Sequence, residues 1–434
     1  MYITKVDIEN IRSIEKLHWR ISPKKAPGWH VIIGDNGSGK TTVVRAITLA
    51  MIGESEAAAS RQKWDDWLRG DEKSGRIKIS VWDDKPPADR RRMSPEYPAT
   101  VKLTRKPPRN SVLPIFEGIT SAFLYDEWFT AAYGPFRRFA GGDKEAEKLY
   151  YSNPILARHL TVFGENVALS ECISWLQKLQ YRVLETKTDD DYQFLESLKK
   201  FVNQEGFLPH QVRLDGISSD AVYFVDGNGC RVSVEDLSDG YRSILSMTFE
   251  LIRQMYEVYS IFHSPAKMRR MIFNEKNPSQ IRMPGVVLID EIDAHLHPTW
   301  QQKIGYWFCK HFPKVQFIVT THSPLVCRAA EKGTVFRLPR PGSGDTGQML
   351  EGSELNRIIY GSVLDAYATE DFGEGVEQSE SGRRMVSRLA ELNQKELFGS
   401  LTKQQKTEQV NLRATLPSMS SAISLEKTKR TARK

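Results

Sequence analysis

Apolar and polar residues alternate through "MYITKVDIENIRSI", the two-residue period of a half-buried strand, here with a bend. "WHVIIG" is a short apolar run that ends at a glycine and predicts a buried strand. "TTVVRAITLAMIG" follows the helical period and closes at Gly53. Two further strand-like runs, "RIKISVW" and "ATVKLTR", flank the Pro- and Arg-rich spacer "DDKPPADRRRMSPEYP", which reads as an exposed loop. Helical stretches then dominate, with "SECISWLQKLQYRVLE" and "DYQFLESLKKFV" both amphipathic. "AVYFVDGNGCRVSV" is a hairpin pattern around Asp226-Gly227-Asn228-Gly229. A long helix, "YRSILSMTFELIRQMYEVY", leads through a loop to the strands "GVVLID", "VQFIVTT" and "TVFRL". Past these, "SESGRRMVSRLAELNQKELFGSLTKQQKTEQVNLRA" predicts a charged helical stretch, and the Ser- and Lys-rich end a solvated tail.

Composition narrows the class. Of 434 residues, 40% are hydrophobic and 26% charged, an ordinary globular balance, and no apolar run reaches the ~20 residues of a membrane helix. The start lacks the apolar core of a secretory signal. Cys172, Cys230, Cys309 and Cys327 form no C-x-x-C pair and read as scattered reduced thiols, which points to a cytoplasmic protein. Net charge is +7, and the stretch 411–434 holds six Lys and Arg against Glu426 alone, so +5 of it belongs to the tail. Such a tail suits either a polyanion or bulk water.

The chemistry begins at "GDNGSGKTT", 34–42, which fits G-x-x-x-x-G-K-[ST] between a predicted strand and a predicted helix. Gly34, Gly37 and Gly39 allow the backbone N–H groups of Asn36, Gly37, Ser38 and Gly39 to curl around phosphate oxygens at a helix N-terminus. Lys40 is expected to reach the β- and γ-phosphates of ATP; Thr41 is expected on Mg²⁺, and Thr42 completes the cradle. "GVVLIDE" brings Asp290 to a strand end as a second group for Mg²⁺ and Glu291 beside it to orient or deprotonate water. His322 ends the strand "VQFIVTT" and is a candidate partner for the γ-phosphate or the water. His295 and His297 in "DAHLHP" stand two apart without further ligands, so they read as a turn that packs against a neighbouring subunit rather than as a metal or nuclease site.

In order, "GDNGSGKTT", "LSDGYRS", "VVLIDE", "DAHLHP" and "VTTHSP" resemble the motif series of ATP-binding-cassette ATPases. The resemblance implies that Ser238, Asp239 and Gly240, at a helix N-terminus, cap the nucleotide held by another subunit. "IENIRSI" resembles the opening strand of the SMC, RecF and OLD branch, where Asn10 and Arg12 would approach the nucleotide. The wide spacing of 238–290 and the helical insert argue against a transporter, and the insert is too short for an SMC-type coiled coil. Within the branch, "LSDGYRS", "DEIDAHLHPTWQQ" and "FIVTTHSPL" are similar to the ATPase subunits of bacterial Septu anti-phage systems, a family also found with retrons.

That resemblance implies an α/β fold: an ABC-type ATPase head with mixed β-sheet core, a helical insertion and a charged helical C-terminal extension. The expected divisions are 1–142, 143–215, 216–340 and 341–434. It also implies an ATPase that assembles with itself, a separately encoded HNH-type nuclease partner, DNA as target and no membrane. "RRFAGGDK", "DRRRM" and the tail are the basic stretches available for DNA, with a solvated surface as the equal alternative. One departure is plain: "AAYGPFRRFAGG", 131–142, offers no glutamine where the related ATPases carry one. ATP as mainly an assembly or inhibitory ligand therefore stands beside hydrolysis coupled to movement. Three functions stand as alternatives: an ATP-driven defence ATPase that regulates a separate nuclease, a RecF-like clamp on DNA and a non-catalytic scaffold switched by ATP. No second acidic constellation follows the His322 strand, so no nuclease motif is expected in this chain.

Overall fold

The computed structural model describes residues 1–83, 96–106, 111–118, 128–135, 153–164, 171–186, 189–260, 263–273, 277–362, 366 and 380–416. The middle of the Pro- and Arg-rich spacer with "DRRRM", the stretch "RRFAGGDK" and the final tail lie outside the described residues. The chain divides into two units, Met1–Ala366 and Tyr367–Lys434.

The first unit is built on three sheets. Strands β1 (Tyr2–Ile11), β2 (Ile14–Arg20), β4 (Ser74–Trp82), β5 (Glu96–Lys106) and β6 (Ser111–Gly118) form an antiparallel sheet ordered β2-β1-β4-β5-β6. The bend expected in the first strand is a hairpin turn between β1 and β2. Strands β3 (Gly28–Ile33), β7 (Phe129–Tyr133), β11 (Gly285–Ile289), β12 (Val315–Thr320), β13 (Gly333–Arg337) and β14 (Gln348–Met349) form a second sheet, ordered β14-β13-β3-β12-β11-β7. All neighbours in it are parallel except β13 and β14. The third sheet is β10 (Arg231–Ser233), β9 (Val222–Val225) and β8 (Arg213–Ile217). β8 runs across residue 215, so the segment after the helical insertion pairs back to it.

Helix α1 (Lys40–Ile52) lies between the first two sheets. Its Val43, Val44, Ile47 and Met51 share one core with Ile77, Ile79 and Val101 of the antiparallel sheet and with Leu288 and Ile318 of the parallel one. Cover on both faces explains why β3, β11 and β12 are buried at every position and read as continuous apolar runs instead of alternating. The opposite face of the parallel sheet carries an aromatic core. Trp29 stacks on Phe308, 6.1 Å between centroids, and Trp307 of helix α5 (Pro298–His311) meets Phe207 at 4.8 Å. The insertion helices α2 (Glu171–Thr186) and α3 (Asp189–Val202) pack through Trp175 and Phe194 onto Tyr256 of helix α4 (Asp239–Ser260).

In the second unit the single charged stretch expected from sequence breaks into α6 (Glu380–Leu397) and α7 (Lys403–Thr415). A capping box from Thr402 and Gln405 starts α7. Arg388–Glu408 and Arg413–Glu396 ion pairs join the two helices. Among the described residues no helix is long and apolar enough to cross a membrane, and all four cysteines are free thiols.

Candidate nucleotide site

The parallel register brings the carboxyl ends of β3, β12 and β11 to one edge, where α/β sheets bind their ligands. The loop 34–39 leaves β3 there. Gly34, Gly37 and Gly39 all take positive φ, at 153°, 79° and 101°. A Cβ on Gly39 would stand 2.7 Å from Ser13 Oγ, and one on Gly34 would stand 2.6 Å from Ser38 Oγ, so backbone and space both demand glycine. Lys40 Nζ donates to the carbonyls of Gly34 at 2.7 Å and Asp35 at 3.0 Å. Burial lowers its pKa, opposed by Glu291, Asp290, Asp35 and Asp293. Asn36 and Gly37 are exposed on the loop; Ser38 and Thr42 are buried and Thr41 is partly so. Ser38 Oγ is buried without a hydrogen-bond partner.

Asp290 follows β11 and is 1% exposed. Its N–H donates to the Tyr133 carbonyl at 2.8 Å, and its Oδ1 accepts from Thr320 Oγ1 at 2.5 Å. The same hydroxyl accepts the Glu291 N–H at 2.8 Å. Glu291 has a φ of 47°, a conformation costly for a side-chain-bearing residue and one that recurs at functional turns. Thr321 Oγ1 donates to Asp293 Oδ1 at 2.6 Å. His322 is exposed at its rim; partial desolvation, then Lys40, lowers its pKa, against the pull of Asp293, Glu291 and Asp290. A neutral imidazole at neutral pH follows, able to donate or accept one hydrogen bond.

Lys40, Asp290, Glu291 and His322 thus act on one another electrostatically within a single site. Arg12 and Asn10 are engaged differently. The Arg12 guanidinium lies 4.6 Å over the Trp67 ring, and Asn10 Nδ2 donates to the Ser74 carbonyl at 3.4 Å. It is Ser13, not either of these, that packs against Gly39. Ser238, Asp239 and Gly240 line a separate cleft of about 1630 Å³ with Tyr241, His295 and Trp300, whose lining includes none of 34–42. His297 serves as N-cap of α5, accepting from the Thr299 N–H at 3.3 Å. Among the described residues no group of three or more His, Cys, Asp or Glu is placed to hold a metal.

Sequence reasoning passed over Ser13, Thr320, Thr321 and Tyr133. Only the threonines had a signal, as the two polar residues that follow the apolar run Phe317-Ile318-Val319. Of the stretch expected to hold a glutamine loop, 131–135 is described and ends β7 with Tyr133; 136–142 lies outside the described residues.

Two family models match. One, "AAA domain, putative AbiEii toxin, Type IV TA system", covers residues 147–328, and the other, "AAA domain", covers residues 5–200. The chain is 27% identical over 338 residues to "Septu protein PtuA" of Bacillus mycoides, covering 77% of this chain and 40% of that protein. It is 37% identical over 114 residues to "Retron Ec83 probable ATPase" of Escherichia coli, covering 26% of this chain and 18% of that protein. The chain therefore spans less than half the length of these relatives. Among solved structures, "SMC head domain from Thermotoga maritima" superposes with a TM-score of 0.40 at 13% identity, over 81% of this chain and 100% of that one.

Proposed function

We propose that this chain, an ABC-type ATPase of the SMC/RecF-like branch related to the Septu and retron ATPases, binds Mg²⁺–ATP at the edge of its parallel sheet and assembles with a second copy around it. The observation that carries the reading is the convergence of Lys40, Asp290, Glu291 and His322 on one edge while the Ser238 turn of the same chain opens on another cleft. Such a turn would complete the phosphate site of another copy.

The residues fit the nucleotide. Ser38 Oγ, buried and unpartnered inside the loop, and the three positive-φ glycines describe a cradle shaped for an anion. Thr41 and Asp290 would hold Mg²⁺, which supplies charge neutralisation across the phosphates. Lys40 would pair with the phosphates in place of its two loop carbonyls. Glu291 would orient water and accept its proton, and His322 would hydrogen-bond the terminal phosphate as a neutral imidazole.

The reading extends to an anti-phage role beside a separately encoded HNH-type nuclease, with DNA as the target, in the cytoplasm. It is supported by the likeness to the Septu and retron proteins. Sedimentation with and without ATP tests its centre. Ser238→Arg is expected to keep nucleotide binding and lose ATP-linked association, and unchanged association would reject capping in trans. Co-purification with the products of neighbouring genes, read by mass spectrometry, tests the nuclease; its absence removes that partner from the reading.

A further inference from the structure

Helix α4, which begins at the Ser238 turn, carries charged and polar side chains on a face that should be apolar. Glu250, Arg253 and Gln254 are 0%, 3% and 2% exposed. Their spacing of three and four residues puts them on one side of the helix. The Glu250 carboxylate accepts from Arg253 Nε at 2.8 Å and Nη2 at 2.5 Å, and from Gln254 Nε2 at 2.5 Å. Arg253 also pairs with Glu257 at 2.6 Å, on the more exposed side. The buried charge is thereby matched and the network satisfied, the condition under which it fixes a helix in one position.

Beyond the helix the network reaches Tyr133 of β7. The Tyr133 hydroxyl donates to Gln254 Oε1 at 3.2 Å, and its burial raises the phenol pKa well above the usual range, so the proton stays in place. The carbonyl of the same Tyr133 accepts the Asp290 N–H at 2.8 Å. Tyr133 thus touches α4, called the signature helix for the "LSDGYRS" at its start, with its side chain and the Asp290 turn with its backbone. A directional hydrogen bond between α4 and β7 specifies one register of the helix beyond what apolar contact alone supplies.

We propose that Tyr133 and Gln254 are positioning residues that tie the signature helix to the Asp290 turn, so that capping of one copy's nucleotide by Ser238 of another alters the capping copy's own site. The inference rests on the reading that Ser238 acts in trans. Gln254 itself hydrogen-bonds to Glu250 of its own helix and to Tyr133. By linkage, association should tighten nucleotide binding by the factor that nucleotide tightens association.

The test uses the full chain and a fluorescent ATP analogue with Mg²⁺. Its dissociation constant is read at a protein concentration too dilute for association and again where the chain associates. The wild-type chain is expected to tighten between the two. Tyr133→Phe should keep the dilute affinity and lose roughly three- to tenfold of the tightening, the range of one hydrogen bond, with a fall in unfolding temperature because the buried Gln254 oxygen loses its donor. Gln254→Leu should lose the same tightening at a larger cost in unfolding temperature, because the buried Glu250 carboxylate loses the Gln254 Nε2 donor, and in the double variant the tightening should be no weaker than in either single one. Wild-type tightening in Tyr133→Phe, or equal weakening at both concentrations, overturns the link and leaves trans capping intact. Failure of the wild-type chain to associate with the analogue removes trans capping, and the link falls with it.

Discussion

Thr320 Oγ1 donates to Asp290 Oδ1 at 2.5 Å and accepts the Glu291 N–H at 2.8 Å, so one buried hydroxyl holds both carboxylate residues of the site. It holds one Asp290 oxygen and sets the backbone that carries Glu291. Thr320→Val keeps the shape and removes the hydroxyl. With Asp290 on Mg²⁺ as proposed, loss of such an outer partner is expected to weaken Mg²⁺ affinity and raise the Mg²⁺ midpoint of hydrolysis by about 10- to 100-fold, and Thr320→Ser should restore it. A Mg²⁺ titration of hydrolysis with the same midpoint in Thr320→Val as in wild type would reject the role.

Lys40 makes its two hydrogen bonds to the carbonyls of Gly34 and Asp35, within the loop that would hold phosphate. Lys40→Ala should fold and fail to retain nucleotide through gel filtration. Full retention by this variant would remove phosphate binding from the loop.

Gly39 combines a φ of 101° with a neighbour, Ser13 Oγ, 2.7 Å from where a Cβ would sit. Gly39→Ala should lose nucleotide binding and about 1–3 kcal/mol of stability. Gly206, at φ 73°, has nothing within 4 Å of the same point, so Gly206→Ala meets the backbone cost alone. Urea unfolding of the two variants should rank Gly39→Ala as the less stable, and the reverse order would show that the Ser13 contact relaxes freely.

Three buried histidines make the fold sensitive to acid. Desolvation lowers the pKa of His30 to about 4, of His159 to about 3 and of His311 to about 4. Each is neutral when folded and takes a proton near pH 6.5 when unfolded, so the unfolded chain binds more protons and stability falls with pH. The contribution is complete above about pH 6.5 and is lost progressively toward pH 4. Denaturant midpoints at pH 7, 6 and 5 should decline in that order, and His30→Gln should decline less steeply. A midpoint independent of pH across this window would contradict the burial of these rings as neutral groups.

The legible part of the site was the part encoded within a few consecutive residues. "GDNGSGKTT" carries its own turn glycines, lysine and hydroxyl, and "VVLIDE" and "VTTHSP" each pair an apolar strand with the groups at its end. Such segments announce themselves because backbone conformation and side-chain chemistry are both local. Asn10 and Arg12 were named by resemblance alone, and the fold gives their side chains to Ser74 and Trp67. No local pattern could have named Ser13 as the neighbour of Gly39, because the β1–β2 hairpin and the phosphate loop meet only when α1 is enclosed by two sheets.

By itself, the order of residues determined which strands end in a lysine loop, an acid pair and a histidine, and which helix begins at "LSDGYRS". Tertiary structure decided that β12 lies between β3 and β11, which sets Thr320 beside Asp290 and Thr321 beside Asp293. It also decided that Tyr133, distant from both in the chain, joins Asp290 to Gln254. The reason is physical: hydrophobic period fixes whether a segment is strand or helix and which face is buried, but strand order is a property of how whole sheets enclose a core.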